Sequence, residues 1–476
     1  MHARLRAWAA RIEIEIEIEI DYFSQLRRIP MRYFTGIVVC ALLGAVACQS
    51  PVPNPIYEAK PLLKLVNSTS NGKLFDVATD DVRLKVLHVF GSAQDMGRAQ
   101  GELLGSFAYD FLTKAIPEFY RDEVSQIPLG SLPAWLQKLI IGAGKAAAPT
   151  VFGAALDYVL AREKKYVAAS RSAPLDEMSG LAAGLCSSGQ VAGCNAKALE
   201  KKIQQLNMLP ELIKMTCSML GAWGTATPDG KLTQLRALDF GSGPFANYTV
   251  LTVYHPSQGG HAFASLGFPG FVGAVTGWSA QVGLSEKVWE TYDKKSVQPG
   301  HYDGQPVVGF IRDVLQFADT KEDAIEMALH PIAGGKRTWA VFLGVGDAAS
   351  QEFRAMGYRE ADLQVLGPEN VTNVTGFAAQ DDVVFIDKHP QPSHDATTMP
   401  DLVSKWHGNL TARNVAQYFP RLMQSSDLHA TVYDYGANKA YVAIGTIDGD
   451  GQYIEMACDR PFLEVDFDDL FNEPAP

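Results

Sequence analysis

A chain of 476 residues, 47% hydrophobic and only 20% charged, carries enough apolar material for a sizeable core, in one large domain or two ordinary ones. Its formal net charge of -12 argues against a nucleic-acid surface, which would need a basic face. Beyond one apolar run near the N-terminus, no stretch stays apolar for the length that spans a bilayer; the 132–160 region comes closest, and Lys138, Lys145 and Pro149 interrupt it.

Residues 1–30 contain an Ile-Glu alternation from Ile12 to Ile20 that has the period of a strand, yet so simple a repeat ahead of a second methionine reads as lying outside the folded protein. From Met31 a cation and an apolar run lead to Ala45-Val46-Ala47, the pattern of a secretory signal over 31–47 with Met31 as the true start. A lipid anchor at Cys48 fits less well, because Ala45 stands where a large aliphatic residue is usual. Five sequons follow, at Asn67, Asn247, Asn370, Asn373 and Asn409. Behind a signal they predict a glycosylated, secreted or lysosomal product.

Residues 86–118 read as a strand, a Gly91-Ser92 turn and a helix in which Gly97 and Gly101 share one face, where another backbone can approach closely. Helical patterns continue to 214. Within them, 175–185 carries Glu177-x-x-Gly180-Leu181-Ala182-x-Gly184. The character then changes. Cys217 to Thr225 is small and apolar, Pro228-Asp229-Gly230 is a turn signal, and Leu232 to Leu238 is a second apolar run, so the spacing predicts a hairpin with Cys217 at its open end. Short strand-like runs follow at 250–254, 340–344, 383–386, 430–433 and 440–444, with helices over 305–317 and 320–329, the second capped by Thr320 with Asp323 near N3.

A lone cysteine opening a strand is usually a small buried hydrophobe. The hairpin, however, resembles the nucleophile hairpin of the N-terminal-nucleophile (Ntn) hydrolases, closest to their penicillin acyltransferase-like branch, with bile-salt hydrolases, acid ceramidase and acylethanolamine amidases further away. The resemblance rests on Cys217-Ser218, Trp223-Gly224-Thr225, Pro228-Asp229-Gly230 and Arg236-Ala237-Leu238-Asp239, where those relatives commonly have Asn in place of Ala237. The Gly91-Ser92-x-x-x-Met96-Gly97-x-x-x-Gly101 and Glu177 to Gly184 segments are similar to that branch too, in the same order.

The resemblance implies an α+β fold, a four-layer αββα sandwich of two antiparallel sheets between helices. A mainly helical segment over 48–216 would precede a catalytic segment over 217–476, the two forming one globular unit. It implies a precursor cut between Thr216 and Cys217, after which Cys217 is both nucleophile and, through its α-amine, base. The activity implied is hydrolysis of an N-acyl amide, or transfer of its acyl group, through a Cys217 thioester. Arg236 would favour the thiolate, and Asp239 would orient the amine. Ser279 stands nearest to the place where those relatives carry an oxyanion-holding Asn, and Thr338 stands where they often have a polar donor. Three apart on a strand, Arg236 and Asp239 project to opposite faces unless the strand ends or bulges near Leu238, which the glycines of 240–243 predict. The partners implied are a small-molecule N-acyl amide or lipid-like substrate, with peripheral contact to a membrane, no nucleic acid and no cofactor; the two fragments stay associated.

Cys186 and Cys194 enclose a short loop and in an oxidising compartment form a disulfide, which leaves Cys217 and Cys458 once Cys40 and Cys48 are assigned to the signal and its edge. A Cys217–Cys458 bridge, in a non-catalytic glycoprotein of the same fold, stays open as an alternative; a phospholipase-B-like lipid esterase is another. His389 and His394 flank two prolines and read as an exposed loop, not metal ligands, and Asp466 to Glu473 reads as a solvated tail.

Overall fold

The computed structural model describes residues 52–476 apart from 80, 128, 214–215, 242, 290–301, 361, 393–396 and 449–452. The 1–30 segment, the signal over 31–47, Cys48, His394 and Asp395 lie outside the described residues. Everything below belongs to the compact unit Pro53–Pro476.

Four strands come first: β1 (Ile56–Glu58), β2 (Leu63–Thr69), β3 (Gly72–Ala78) and β4 (Arg83–Gly91). Six helices follow: α1 (Ala93–Asp110), α2 (Ile116–Glu123), α3 (Ala134–Gly142), α4 (Ala148–Ala169), α5 (Pro174–Ser187) and α6 (Ala196–Met208). The chain then forms β5 (Thr216–Gly224), β6 (Gly230–Asp239), β7 (Val250–Pro256), β8 (Phe263–Gly267), β9 (Thr276–Ser279), β10 (Val282–Val288) and β11 (Gly304–Gln305). After α7 (Val307–Phe317) and α8 (Lys321–Leu329) come β12 (Lys336–Arg337), β13 (Val341–Asp347), β14 (Glu352–Tyr358), β15 (Leu363–Leu366), α9 (Thr372–Thr375) and β16 (Val383–Ile386). The C-terminal part holds α10 (Thr398–Trp406), α11 (Ala412–Met423), β17 (His429–Asp434), β18 (Lys439–Ile444), β19 (Thr446–Ile447), β20 (Tyr453–Glu455), β21 (Phe462–Asp466) and α12 (Phe467–Phe471).

The fold is α+β, with two large sheets and helices. One sheet has seven strands in the order β1-β21-β18-β17-β6-β5-β16, the other ten in the order β15-β14-β13-β10-β9-β8-β7-β4-β3-β2. Within these two sheets pairing is antiparallel except for β1–β21 and β4–β7. Period-two alternation divides the central strands between two cores. On β13, Val341, Leu343 and Val345 pack with Leu104, Phe152 and Leu315 of the helices, while Phe342 joins Met219, Val384 and Val442 of the seven-stranded sheet. The other face of that sheet, with Leu220, Ala237 and Val432, packs on Val403, Val415 and Phe419 of α10 and α11. The segment before Cys217 is therefore not helical alone, because β2, β3 and β4 form one edge of the larger sheet.

The two glycine motifs meet. A Cβ on Gly97 would lie 2.0 Å from the Glu177 carbonyl oxygen and one on Gly101 2.3 Å from that of Leu181. Reciprocally, a Cβ on Gly180 would lie 2.2 Å from the Gln94 oxygen and one on Gly184 2.1 Å from that of Arg98. Helices α1 and α5 thus touch backbone to backbone, and Arg312 of α7 fixes the pair from beneath by donating to Glu177 at 2.5 Å. The Thr320 cap forms as expected: its hydroxyl accepts from the Asp323 N–H at 3.1 Å, and the Asp323 carboxylate accepts from the Thr320 N–H at 3.0 Å.

The solvated tail is corrected by the structure. Asp466 caps α12, and Phe467 and Leu470 are buried in the core between the sheets, the Phe467 ring beside Trp278 and Tyr435. Charge at 466, 468 and 469 marks the outer face of a short helix whose inner face is apolar. Of the sequon asparagines, Asn67, Asn247, Asn373 and Asn409 are exposed, whereas the half-buried Asn370 donates to the Val365 carbonyl at 3.0 Å. Cys186 and Cys194 are bonded, with Cα atoms 5.3 Å apart, while Cys217 and Cys458 are free and buried. Among the described residues, no helix is long and apolar enough to cross a membrane.

Candidate active site

The hairpin forms over the expected residues. Gly230, at φ +73, takes the left-handed turn position, and the Asp229 carboxylate accepts from the Lys231 N–H at 3.0 Å to close it. Thr216 pairs with Asp239, Cys217 with Leu238 and Met219 with Arg236, and the only irregularity sits at the turn end, between Ala222 and Gly224. Cross-strand partners share a face. Cys217, Met219, Arg236 and Leu238 therefore point together toward the larger sheet, and Asp239 points the other way. The strand does not end or bulge at Leu238: it runs straight through Asp239, since Asp427 accepts from the N–H groups of Phe240 and Gly241 at 2.8 and 2.7 Å and keeps the exit extended.

The Arg236 guanidinium is fully buried and every edge of its fork is used. Its Nε donates to the Val275 carbonyl at 3.2 Å, Nη1 to the Ala237 carbonyl at 2.9 Å, and Nη2 to the Glu286 carboxylate at 3.3 Å. Glu286, from β10 in the opposite sheet, also accepts from the Cys217 thiol, 3.9 Å away. A thiol, a guanidinium and a carboxylate thus meet in a dry, buried place at the open end of the hairpin. Burial pushes the Cys217 thiol up to about 12; Arg236 opposes the shift and Glu286 adds to it. Burial also raises Glu286 against the pull of Arg236. His429, across from Leu238 on β17, completes the wall: its Nε2 lies 2.8 Å from the Thr276 hydroxyl, and burial, with the Arg236 charge, holds the ring neutral.

The other expected residues are placed elsewhere. The Asp239 carboxylate accepts from the Ser425 hydroxyl at 2.6 Å and the Ser426 N–H at 2.7 Å, and Ser425 in turn lies 2.8 Å from the Ser218 hydroxyl. Asp239 nevertheless stands directly across from Thr216. Ser279 is not brought to Cys217: its hydroxyl accepts from the N–H groups of Gln281 and Val282, both at 3.1 Å, and closes the β9–β10 turn. It lies four residues, about 13 Å of strand, from Val275 at the guanidinium. Thr338 donates to the Gln305 carbonyl at 3.1 Å. Ser279→Ala is accordingly expected to leave turnover within about twofold of wild type and to cost on the order of 1 kcal/mol of stability; a hundredfold loss in a normally folded variant would restore it to the site.

Sequence reasoning missed Glu286, His429 and Thr276. Glu286 had a signal, a charged pair with Lys287 inside the strand Val282 to Val288, every residue of which is buried. Beside the cluster, Leu209, Ile213, Phe240, Phe245, Phe268 and Val275 line a small apolar cavity, and the Val275 carbonyl accepts from the Arg236 fork. The burial predicts that Cys217 of the folded single chain stays unmodified by iodoacetamide at neutral pH, because the thiol is both inaccessible and protonated there. Peptide mapping checks this; labelling of Cys217 in the folded chain as fast as after denaturation would contradict it.

No family model matches the sequence. Among curated proteins it is similar to protein dcd1B of Dictyostelium discoideum, 33% identical over 446 residues, 89% of this chain and 81% of that protein. Protein dcd1A of the same organism is 32% identical over 447 residues, 88% of this chain and 93% of its own length. Among solved structures, a penicillin V acylase from Agrobacterium tumefaciens matches at a TM-score of 0.30 and 13% identity, over 48% of this chain and 83% of that one.

Proposed function

The chain belongs to the family of the Dictyostelium dcd1 proteins, and for this member we propose a self-cleaving cysteine amidohydrolase or acyltransferase that acts on N-acyl amides with an apolar acyl group. The observation that carries the reading is the meeting of Cys217, Arg236 and Glu286 at the open end of the hairpin. An inert core cysteine has no need of a buried ion pair against its sulfur, and such a pair is costly to bury. The order of the three buried cores also supports an αββα layering of the kind Ntn hydrolases have.

In the uncut chain Glu286 is the group placed to take the thiol proton. The sulfur attacks the Thr216 carbonyl carbon, the bond to the Cys217 nitrogen breaks as that nitrogen gains a proton, and water hydrolyses the resulting thioester to leave a Thr216 carboxylate, a thiol and a free α-amine. The amine then serves as base for its own thiol. Asp239 pairs across from Thr216, next to the bond that would be cut, with its carboxylate on the opposite face, held by Ser425 and Ser426. The substrate's acyl chain would fill the apolar cavity, its carbonyl carbon would take the thiolate, and its amine would leave with a proton. Sequence and exposure support secretion or a lysosomal location, with glycans at the exposed sequons.

The test is processing. The purified mature protein should run as two fragments under denaturing conditions, with Cys217 first in the second fragment by Edman sequencing. Cys217→Ala should remain whole, and Glu286→Gln should slow the cut by on the order of a hundredfold, the scale for losing a positioned base. A wild-type chain that stays single and behaves like Cys217→Ala would end this reading.

A further inference from the structure

The 132–160 stretch, too interrupted to span a membrane, is used in another way. Its first part is α3, and this helix is apolar on both sides. Leu136 and Ile140 are buried in the core beneath, while Trp135, Leu139 and Ile141 point outward, 57%, 49% and 72% exposed. Among the described residues it is the only helix that leaves three large hydrophobic side chains in solvent. Scattered exposed apolar residues need no explanation, but a contiguous set on one short helix marks a surface built to be covered.

Charge says what covers it. The chain carries a net charge of -12, yet no acidic residue occurs between Glu123 and Asp157, while Lys138 and Lys145 do, and both are exposed. Lys138 sits between Trp135 and Ile141 on the outer face, so its stem can lie along the apolar surface while its ammonium reaches outward. A tryptophan and two aliphatic side chains flanked by cations, on a helix lying in the protein surface, is the chemistry of an element that rests at the level of lipid headgroups.

We propose that α3 docks the protein onto an anionic phospholipid bilayer, with Trp135, Leu139 and Ile141 entering the headgroup region and Lys138 and Lys145 meeting lipid phosphates. The surface does not depend on the chemistry at Cys217, so the two readings fail separately. The test is co-sedimentation of the full chain with vesicles of phosphatidylcholine alone and of phosphatidylcholine mixed with phosphatidylserine. Wild type should bind the mixed vesicles at least tenfold better and release in high salt. The triple variant Trp135→Ser, Leu139→Ser, Ile141→Ser should lose binding at least tenfold with an unchanged melting curve, as should Lys138→Glu with Lys145→Glu. Independently, Ile141→Cys carrying an environment-sensitive dye should shift to the blue on mixed vesicles only. Wild type left in the supernatant with every vesicle, equal binding to both compositions, or a wild-type dimer that the triple variant converts to monomer would each overturn the proposal, the last assigning the patch to a second copy of the chain.

Discussion

Arg236→Lys is expected to lower turnover of a fluorogenic N-acyl amide by on the order of a hundredfold. The substitution keeps the charge and loses the fork. Arginine at this position donates in three directions at once, to the carbonyls of Val275 and Ala237 and to Glu286, and so holds a hairpin strand, the loop before β9 and the carboxylate of β10 in one arrangement around the Cys217 sulfur. A lysine ammonium is a point donor on a flexible stem and cannot satisfy all three from the same side. At least one buried acceptor is left unpaired, which costs on the order of 1–3 kcal/mol, and Glu286 gains freedom to move off the thiol. Steady-state rates measured beside a melting curve separate the effects. Near-wild-type turnover in a variant that melts a few degrees lower would make Arg236 a structural cation only.

The largest effect on folding is expected at the contact of α1 with α5. Gly101→Leu should leave the protein insoluble or largely unfolded at 37 °C, since the new Cβ would sit 2.3 Å from the Leu181 carbonyl oxygen and 2.5 Å from the Leu185 nitrogen. Those atoms are backbone and cannot rotate away, so relief requires the two helices to separate and to withdraw Met96, Leu104, Met178 and Leu181 from their core. Losses above about 4 kcal/mol are rare for single substitutions and come from a few causes, overpacking among them. Against a typical total of about 5–15 kcal/mol, that removes most of the margin. Gly144→Ala, where nothing lies within 4 Å of the added carbon, is the matched control. Circular dichroism melting of both proteins checks the expectation, and a Gly101→Leu protein that melts with wild type would show that the helices do not pack as closely as described.

What sequence could reveal followed the range of each interaction. The hairpin and the Thr320–Asp323 cap are written in residues a few positions apart, and both formed where expected. The glycine motifs were legible singly, though that Gly97 and Gly101 face Gly180 and Gly184 depends on a fold that brings positions 83 apart into contact. Glu286 lies 69 positions from Cys217 and arrives from the other sheet, so no local spacing announces it. The orientation of Asp239 was a local question answered by a distant residue: Asp427, 187 positions away, holds Phe240 extended and removes the bend that the glycines suggested. The tail was misjudged because its charges sit adjacent in sequence and together on one side of the helix, where composition hides the apolar inner face.

The weave of the two sheets changes what a cut between Thr216 and Cys217 would mean. Upstream residues supply β1, in parallel register with β21 at one edge of the smaller sheet, and β2 to β4, inserted beside β7 in the larger. The Cys186–Cys194 bond lies wholly upstream, and Cys217 and Cys458 are free, so among the described residues nothing covalent would join the pieces. Neither piece can leave without stripping strands from a sheet the other completes, and separation is therefore unfolding. Before the cut, recovery from denaturant is a first-order event within one chain. Afterwards it is a bimolecular encounter of two incomplete partners with apolar faces exposed, its rate falling with dilution and competing with aggregation. Such processing would work as a ratchet: the molecule would fold once as a single chain, and its persistence from then on would be set by the rate at which it comes apart.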